Sequence, residues 1–99
     1  MKVKTLERKR WSFLTDDLDH CYLCGKKRDN LHEVFYGAKH RKLSMEYGCV
    51  VPLCIDCHYK VHHYHTFDLM LKKKTEEKFL EYHDCTREDF LKIFHINYL

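Results

Sequence analysis

Apolar and polar positions alternate differently in the middle of the chain and in its C-terminal third. The segment "LHEVFY" (31–36) is rich in aromatic and β-branched residues and ends at Gly37, which predicts a strand closed by a turn. "CVVPL" (49–53) predicts a second short strand, and Pro52 favours a sheet edge or a strand end because proline cannot donate a hydrogen bond. We expect the intervening "GAKHRKLSMEYG" to form a basic loop.

Helical patterns follow the second strand. The chain from Ile55 contains neither glycine nor proline, which favours a short helix there. A longer helix is expected over "FDLMLKKKTEEKFLEYH", and another begins at Thr86, a good N-cap with Asp89 three residues later. The order strand, loop, strand, helix and two further helices predicts an α+β fold. The apolar positions expected in its helical core are Phe67, Met70, Leu71, Phe79, Leu80, Phe90, Ile93 and Phe94.

Length limits how much of this core can form. Ninety-nine residues make one small domain, for which a bound metal is a reasonable additional source of stability. The charged N-terminus lacks the apolar stretch of a signal peptide, and no run approaches the roughly 18 apolar residues of a membrane helix. The sequence therefore predicts a cytoplasmic protein with no membrane partner. In that reducing compartment paired cysteines bind zinc more often than they form disulfides.

Two Cys-x-x-Cys pairs supply the strongest motif. They lie about thirty residues apart, and four thiolates can close a tetrahedral zinc site with no position left open for catalysis. We therefore predict a structural zinc; the alternative is two disulfides or free thiols. The predicted ligands are Cys21, Cys24, Cys54 and Cys57. Cys49 and Cys85 are interpreted as small buried hydrophobic residues.

A second cluster combines histidine and glutamate. His58 and His62 stand four residues apart, so a helix presents both imidazoles on one face, where they can share a metal ion. The pair His32-Glu33 lies on the preceding strand. A zinc-protease motif is excluded because Tyr36, not histidine, stands four residues after His32 and the segment is predicted to be a strand.

Positive charge is unevenly distributed over a chain of formal net charge +3. The first twenty residues are predicted to be a basic N-terminal extension to a domain over 21–99. Lys72 to Lys74 are interpreted as solvated surface charge, since acidic residues follow at once. In the "KHRK" segment, Lys39, Arg41 and Lys42 are predicted to contact nucleic-acid phosphates without reading sequence.

Four segments together resemble a known family. "CYLCG", "LHEVFYGAKHRKLSMEYG", "VVPLCIDCHYKVH" and "REDFLKIFHINYL" are similar to the HNH nucleases, especially small bacteriophage-encoded ones, and the resemblance covers roughly residues 21–99. It implies a small ββα-metal core stapled by the four-cysteine zinc site and followed by two C-terminal helices. It also implies a metal-dependent DNA endonuclease or nickase of low sequence specificity, acting in the host cytoplasm if it is phage-encoded.

The resemblance also implies individual roles. The first residue of the strand pair binds the catalytic metal and the second is the general base, so His32 would join His58 and His62 around magnesium, manganese, nickel or zinc, and Glu33 would activate water. The swapped assignment, with His32 as base and Glu33 as ligand, stays open. So does a third interpretation, in which the polar pair merely faces solvent.

Two positions depart from the family pattern. The base position holds the carboxylate of Glu33 where histidine is usual, and Cys49 stands where the family has an asparagine that orders the loop behind the strand pair. His40 and Ser44 are the polar candidates to replace that asparagine. These departures support an alternative function: a zinc-stabilised nucleic-acid-binding or protein-interaction module whose nuclease site has decayed.

Overall fold

Five helices and a two-stranded antiparallel sheet make up the part of the chain that the structure, a computed structural model, describes, residues 2–99. The predicted α+β class is confirmed at this level. In chain order the elements are α1 (Val3–Arg8), β1 (Asn30–Glu33), α2 (Ala38–Tyr47), β2 (Val50–Leu53), α3 (Ile55–His63), α4 (His65–Tyr82) and α5 (Arg87–Phe94).

The two strands are the ones the sequence predicts, although β1 is shorter. His32 lies opposite Val51 and Glu33 opposite Val50. Because successive side chains of a strand point to opposite faces, His32 and Glu33 lie on different sides of the sheet. Val34 and Phe35 follow the strand and are fully buried, and this burial explains the apolar pattern that extended the prediction to residue 36.

The predicted basic loop between the strands is wrong. Residues 38–47 form the ten-residue helix α2, which Gly37 precedes and Gly48 ends in the left-handed conformation (φ 79°). These two glycines stand at the ends of the helix. No glycine lies inside it, so the residues between them can adopt helical dihedral angles. The basic residues occupy its exposed and half-buried positions, while Ser44 and Met45 are buried.

Ser44, one of the two polar candidates of the segment after β1, supports the chain beyond the strand. Its hydroxyl donates a hydrogen bond to the Phe35 carbonyl oxygen (2.6 Å) and accepts one from the Phe35 amide (3.1 Å). His40, the other candidate, packs instead against the ring of Phe94, with 5.8 Å between the ring centroids. A fully buried hydroxyl therefore fixes the chain just after the strand pair.

Helices α4 and α5 close the core. Phe79, Phe90 and Phe94 are fully buried together with Phe35, and the rings of Phe79 and Phe90 meet edge to face at 5.1 Å. The predicted N-cap is confirmed: the Thr86 hydroxyl accepts from the Asp89 amide at 3.2 Å. Among the predicted core positions of α4, Phe67 and Met70 are exposed. Cys49 is buried as expected, and Cys85 is half-buried.

The segment before the sheet packs onto the domain. Leu6 of α1 is buried against Met45 and Val50, and the ring of Trp11 lies over Gly48. A Cβ at Gly48 would stand only 2.7 Å from the Trp11 ring, so a side chain there would displace the tryptophan. The predicted basic extension thus contributes to packing. No helix within residues 2–99 has the length and apolar character to cross a bilayer.

Candidate metal centres

The four predicted zinc ligands converge on one point. The Sγ atoms of Cys21, Cys24, Cys54 and Cys57 all lie within 4.8 Å of one another. Cys24 and Cys54 sulfurs are 3.5 Å apart, much longer than the roughly 2.05 Å of a disulfide and close to the ~3.8 Å that a tetrahedron of ~2.3 Å zinc–sulfur bonds requires. The four-cysteine cluster can therefore hold a structural metal such as zinc.

Backbone hydrogen bonds position the cysteines. Cys54 is the N-cap of α3, where its sulfur accepts a hydrogen bond from the Cys57 amide at 3.4 Å. The first cysteine pair lies in a tight turn, which is closed by a hydrogen bond from the Cys21 amide to the Lys26 carbonyl oxygen (2.6 Å). The Tyr22 amide donates a hydrogen bond to the Pro52 carbonyl oxygen (2.8 Å), which attaches this turn to β2. Both pairs are thus fixed to the sheet.

Ionisation of all four thiols together requires a cation. Burial by itself would raise the pKa of Cys21, but hydrogen bonds involving the backbones of Cys54, Cys24 and Leu23 outweigh it and lower the pKa to about 6. Burial raises the pKa of Cys57 well above its ordinary value. Thiols this close resist ionising together, and a bound divalent metal supplies the charge that makes all four thiolates stable.

Three histidines form the second cluster. The ligand nitrogens of His32, His58 and His62 lie within 4.8 Å of one another, and the Nε2 atoms of His58 and His62 are 3.0 Å apart. Metal–nitrogen bonds of about 2.1 Å in neighbouring octahedral positions give a separation of about 3.0 Å. His32 comes from β1 and the other two from successive turns of α3. We call this group the histidine cluster.

Burial varies across the histidine cluster. His32 is 3% exposed, His58 is half-buried and His62 is exposed, so the cluster opens to solvent on one side. The Nε2 atom of His32 is buried and has no hydrogen-bond partner among residues 2–99, a deficit that a metal ion would remove. The donor set therefore fits a divalent metal with positions left for water or a phosphate oxygen.

The surroundings of His32 and His58 favour the neutral imidazole, the form that binds metal. Burial, with added repulsion from His58 and His62, lowers the pKa of His32 to about 3. Burial and the nearby His62 also lower the pKa of His58, against an opposing effect of the Glu33 charge. Neutral imidazole has a lone pair free for a metal, so these shifts favour metal binding over protonation near neutral pH.

Glu33, the predicted base, lies outside the histidine cluster. Its Oε1 accepts hydrogen bonds from Arg10 Nη2 (2.7 Å) and Nε (3.2 Å), and Arg41 Nε is 3.4 Å away. The Glu33 side chain is 12% exposed. The interpretation of His32 and Glu33 as a pair facing solvent is wrong, because both side chains are largely buried. The role of Glu33 as a base remains a prediction.

The three predicted phosphate contacts stand on α2 in different surroundings. Lys39 is exposed and Lys42 is half-buried. Arg41 donates to Glu7 of α1 at 2.7 Å as well as facing Glu33. Two carboxylates therefore already balance the Arg41 charge, whereas the structure pairs neither lysine with an acid.

Three residues beside the histidine cluster were not predicted from the sequence to belong to a functional site. The Tyr36 hydroxyl donates to Asp68 Oδ2 at 2.7 Å, and Lys72 Nζ lies 3.0 Å from the same oxygen. The Lys72 side chain is only 13% exposed, so its interpretation as solvated surface charge is wrong. The i,i+4 spacing of Asp68 and Lys72 on a helix was the available signal.

Comparisons with protein-family models, curated proteins and solved structures find no significant match to this chain.

Proposed function

We propose that this protein is a metal-dependent DNA endonuclease or nickase of the HNH type. One observation carries the proposal: His32 of β1 and His58 and His62 of α3 bring their ligand nitrogens within 4.8 Å of one another on a strand–strand–helix unit. That unit is stapled by the four-cysteine cluster, for which we propose zinc. The resemblance to small phage nucleases supports a phage origin, action in the host cytoplasm and a ββα-metal fold.

The histidine cluster suits phosphodiester hydrolysis. A divalent ion there would act as a Lewis acid toward the scissile phosphate and the departing 3′ oxygen. The chain itself contributes three imidazoles from two rigid elements, which limits movement of the site during reaction. The exposed side at His62 leaves room for a DNA strand. Imidazole nitrogen suits nickel and zinc, whereas magnesium and manganese favour oxygen and would take part of their coordination from water and phosphate.

We assign proton removal from water to Glu33, which lies outside the histidine cluster but close enough for its charge to act on His58, and which must first exchange its arginine partners. DNA phosphates bind guanidinium groups in the same bidentate manner as carboxylates do. Phosphates that engage Arg10 and Arg41 would free the Glu33 carboxylate at the moment substrate arrives. Lys39 and Lys42 supply further phosphate contacts, which give affinity without base specificity.

The direct test uses supercoiled plasmid with Mg²⁺, Mn²⁺ or Ni²⁺. We expect nicked or linear DNA that disappears with EDTA, and a loss of at least ~100-fold in rate for His58→Ala, since a ligand is worth several kcal/mol of transition-state stabilisation. His63→Ala, at the exposed neighbouring position, is the matched control and should cut normally. A His58→Ala protein that cuts as fast as wild type would refute the assignment.

A second function is favoured by the arginine pairing of Glu33 and by Cys49 at the family asparagine position. In that case the protein is a zinc-stabilised module that binds nucleic acid or protein without cutting. A gel-shift experiment on the same plasmid distinguishes the two, because in the second case the DNA stays supercoiled in every metal tested, retarded if the module binds nucleic acid and unretarded if it binds protein.

A further inference from the structure

Tyr36, Asp68 and Lys72 form a polar cluster next to the histidine cluster, which we call the Asp68 cluster. One carboxylate oxygen, Oδ2, accepts from the Tyr36 hydroxyl at 2.7 Å and lies 3.0 Å from Lys72 Nζ. Lys72 Nζ also lies 4.1 Å from the centroid of the Tyr36 ring. Two interactions therefore fix Asp68 through a single oxygen, and the contact of Lys72 with the Tyr36 ring holds the two partners together.

The other carboxylate oxygen of Asp68 is unusual. Asp68 is 7% exposed, and its Oδ1 atom is buried without a hydrogen-bond partner among residues 2–99. An unsatisfied buried polar atom destabilises the fold, and more strongly if it carries charge. Only one other side-chain atom in the described chain shares this condition, and it is Nε2 of His32.

These two unsatisfied atoms belong to neighbouring groups. The ring of Tyr36 lies 5.9 Å from the His32 ring and 5.4 Å from the His62 ring, while its hydroxyl reaches Asp68. The Asp68 charge is close enough to act on His32, whose pKa it raises against the larger effect of burial. Tyr36 therefore contacts both groups, and Asp68 lies near enough to the histidine cluster for its charge to act on His32.

We propose that Asp68 is a positioning residue of the histidine metal site, whose Oδ1 accepts a hydrogen bond from a water molecule bound to the metal. The inference rests on the metal site of the proposed function. A single bound ion would satisfy both atoms, since His32 Nε2 would bind the metal directly and Asp68 Oδ1 its water. Tyr36 and Lys72 hold the carboxylate so that Oδ1 keeps this orientation. Such outer carboxylates typically contribute 10–100-fold to metal affinity.

The test is Mn²⁺ binding by calorimetry to zinc-loaded protein. Asp68→Asn keeps the shape of the side chain and should bind Mn²⁺ about 10–100-fold more weakly than wild type. The control Glu77→Gln removes an exposed carboxylate from the same helix and should bind Mn²⁺ as wild type does. Equal Mn²⁺ affinity of Asp68→Asn and wild type would overturn the inference.

A purely structural role of Asp68 makes a different prediction. If the carboxylate only fastens α4 to the turn after β1, then Lys72→Met, which breaks the ion pair but keeps Oδ1, should weaken Mn²⁺ binding in proportion to its loss of thermal stability, as should Asp68→Asn. We expect Asp68→Asn to lose affinity well beyond that proportion and to show a smaller Mn²⁺-induced rise in Tm. A proportional loss in both variants would overturn the inference. Lys73→Met controls for the removal of a lysine.

His58→Ala separates this inference from the nuclease proposal. Wild-type protein that binds Mn²⁺ in a His58-dependent way but never cuts DNA would refute the nuclease while the affinity of Asp68→Asn still decides the role of Asp68. Wild-type protein without His58-dependent Mn²⁺ binding would overturn the inference about Asp68 directly.

Discussion

The four-cysteine cluster and the histidine cluster are built on the same helix and differ in closure. The first turn of α3 contributes Cys54 and Cys57, and the residues that follow contribute His58 and His62. Three of the four cysteines are buried, whereas the histidine cluster grades from buried His32 to exposed His62. A closed set of four ligands suits a structural metal and an open set of three suits a reactive one. One rigid helix can thus fix both kinds of site.

The largest expected effect is the removal of one thiolate. Cys57→Ser should lose the bound metal and unfold or aggregate, because metal binding at such a site supplies folding free energy. Circular dichroism and zinc analysis of the purified protein measure both. Cys85→Ser is the control, since Cys85 is half-buried and outside the cluster, and should keep its zinc. A folded, metal-free Cys57→Ser protein would break the distinction between the two clusters.

The next effect concerns His32 and Glu33. His32→Ala should weaken Mn²⁺ binding by about 100-fold or more and keep its zinc, because it removes a ligand from the open cluster alone. Glu33→Gln should bind Mn²⁺ normally and lose plasmid cleavage if Glu33 is the base. Calorimetry and plasmid cleavage measure these. The reverse pattern of Mn²⁺ binding would establish the swapped assignment, and full cleavage by both variants would move the active site elsewhere.

A smaller effect is expected at Ser44, which supports the chain beyond His32. Ser44→Ala should lower the free energy of unfolding by roughly 1–3 kcal/mol, because the buried amide and carbonyl of Phe35 lose their partner. Mn²⁺ affinity should fall while zinc content stays at the wild-type level. Ser12→Ala, outside both clusters, is a control for loss of a serine hydroxyl. If Ser44→Ala were as stable as wild type, the Ser44 hydroxyl would not support the chain after β1.

Acid should destabilise the histidine cluster modestly. The folded pKa of His32 is about 3 and its unfolded value about 6.5, so between these values the unfolded chain binds more protons. The free energy of unfolding should therefore fall as pH drops below 6.5, by about 1 kcal/mol for each pH unit from this residue. Chemical denaturation of zinc-loaded protein at pH 6.5 and 5.5 measures this. His32→Gln should show a shallower decline, and an equal slope would exclude His32 as its source.

The sequence predicts the clusters better than it predicts their surroundings. Cys-x-x-Cys turns and the i,i+4 histidines are local motifs, so their geometry follows from a few adjacent residues. The contact between Tyr36 and Asp68 spans 32 positions, and no local period encodes it. The same applies to Glu33 and Arg10, 23 positions apart. Polar contacts between residues far apart in the sequence are therefore the features that the sequence did not predict.

The wrong prediction of a loop at α2 has a different cause. Gly37 and Gly48 and the basic "KHRK" segment are typical of a loop, yet the ten residues between the glycines contain no helix breaker. Burial of Met45 against Leu6 and Val50 favours the helix, and this contact depends on α1, which the sequence analysis treated as an extension. A tertiary contact thus outweighed the local signal for a loop.

The position of the metal ligands along the chain has a consequence for synthesis. All seven candidate ligands of the two clusters precede residue 63, whereas Phe79, Phe90 and Phe94 of the core follow it. At a synthesis rate of about 5–20 residues per second, the last ligand, His62, is added to the chain roughly 1–5 s before α5 begins at Arg87. A metal bound at that stage would fold the N-terminal part of the nascent chain, and α4 and α5 would then pack against it. Metal supply during translation, rather than afterwards, would set the yield of folded protein.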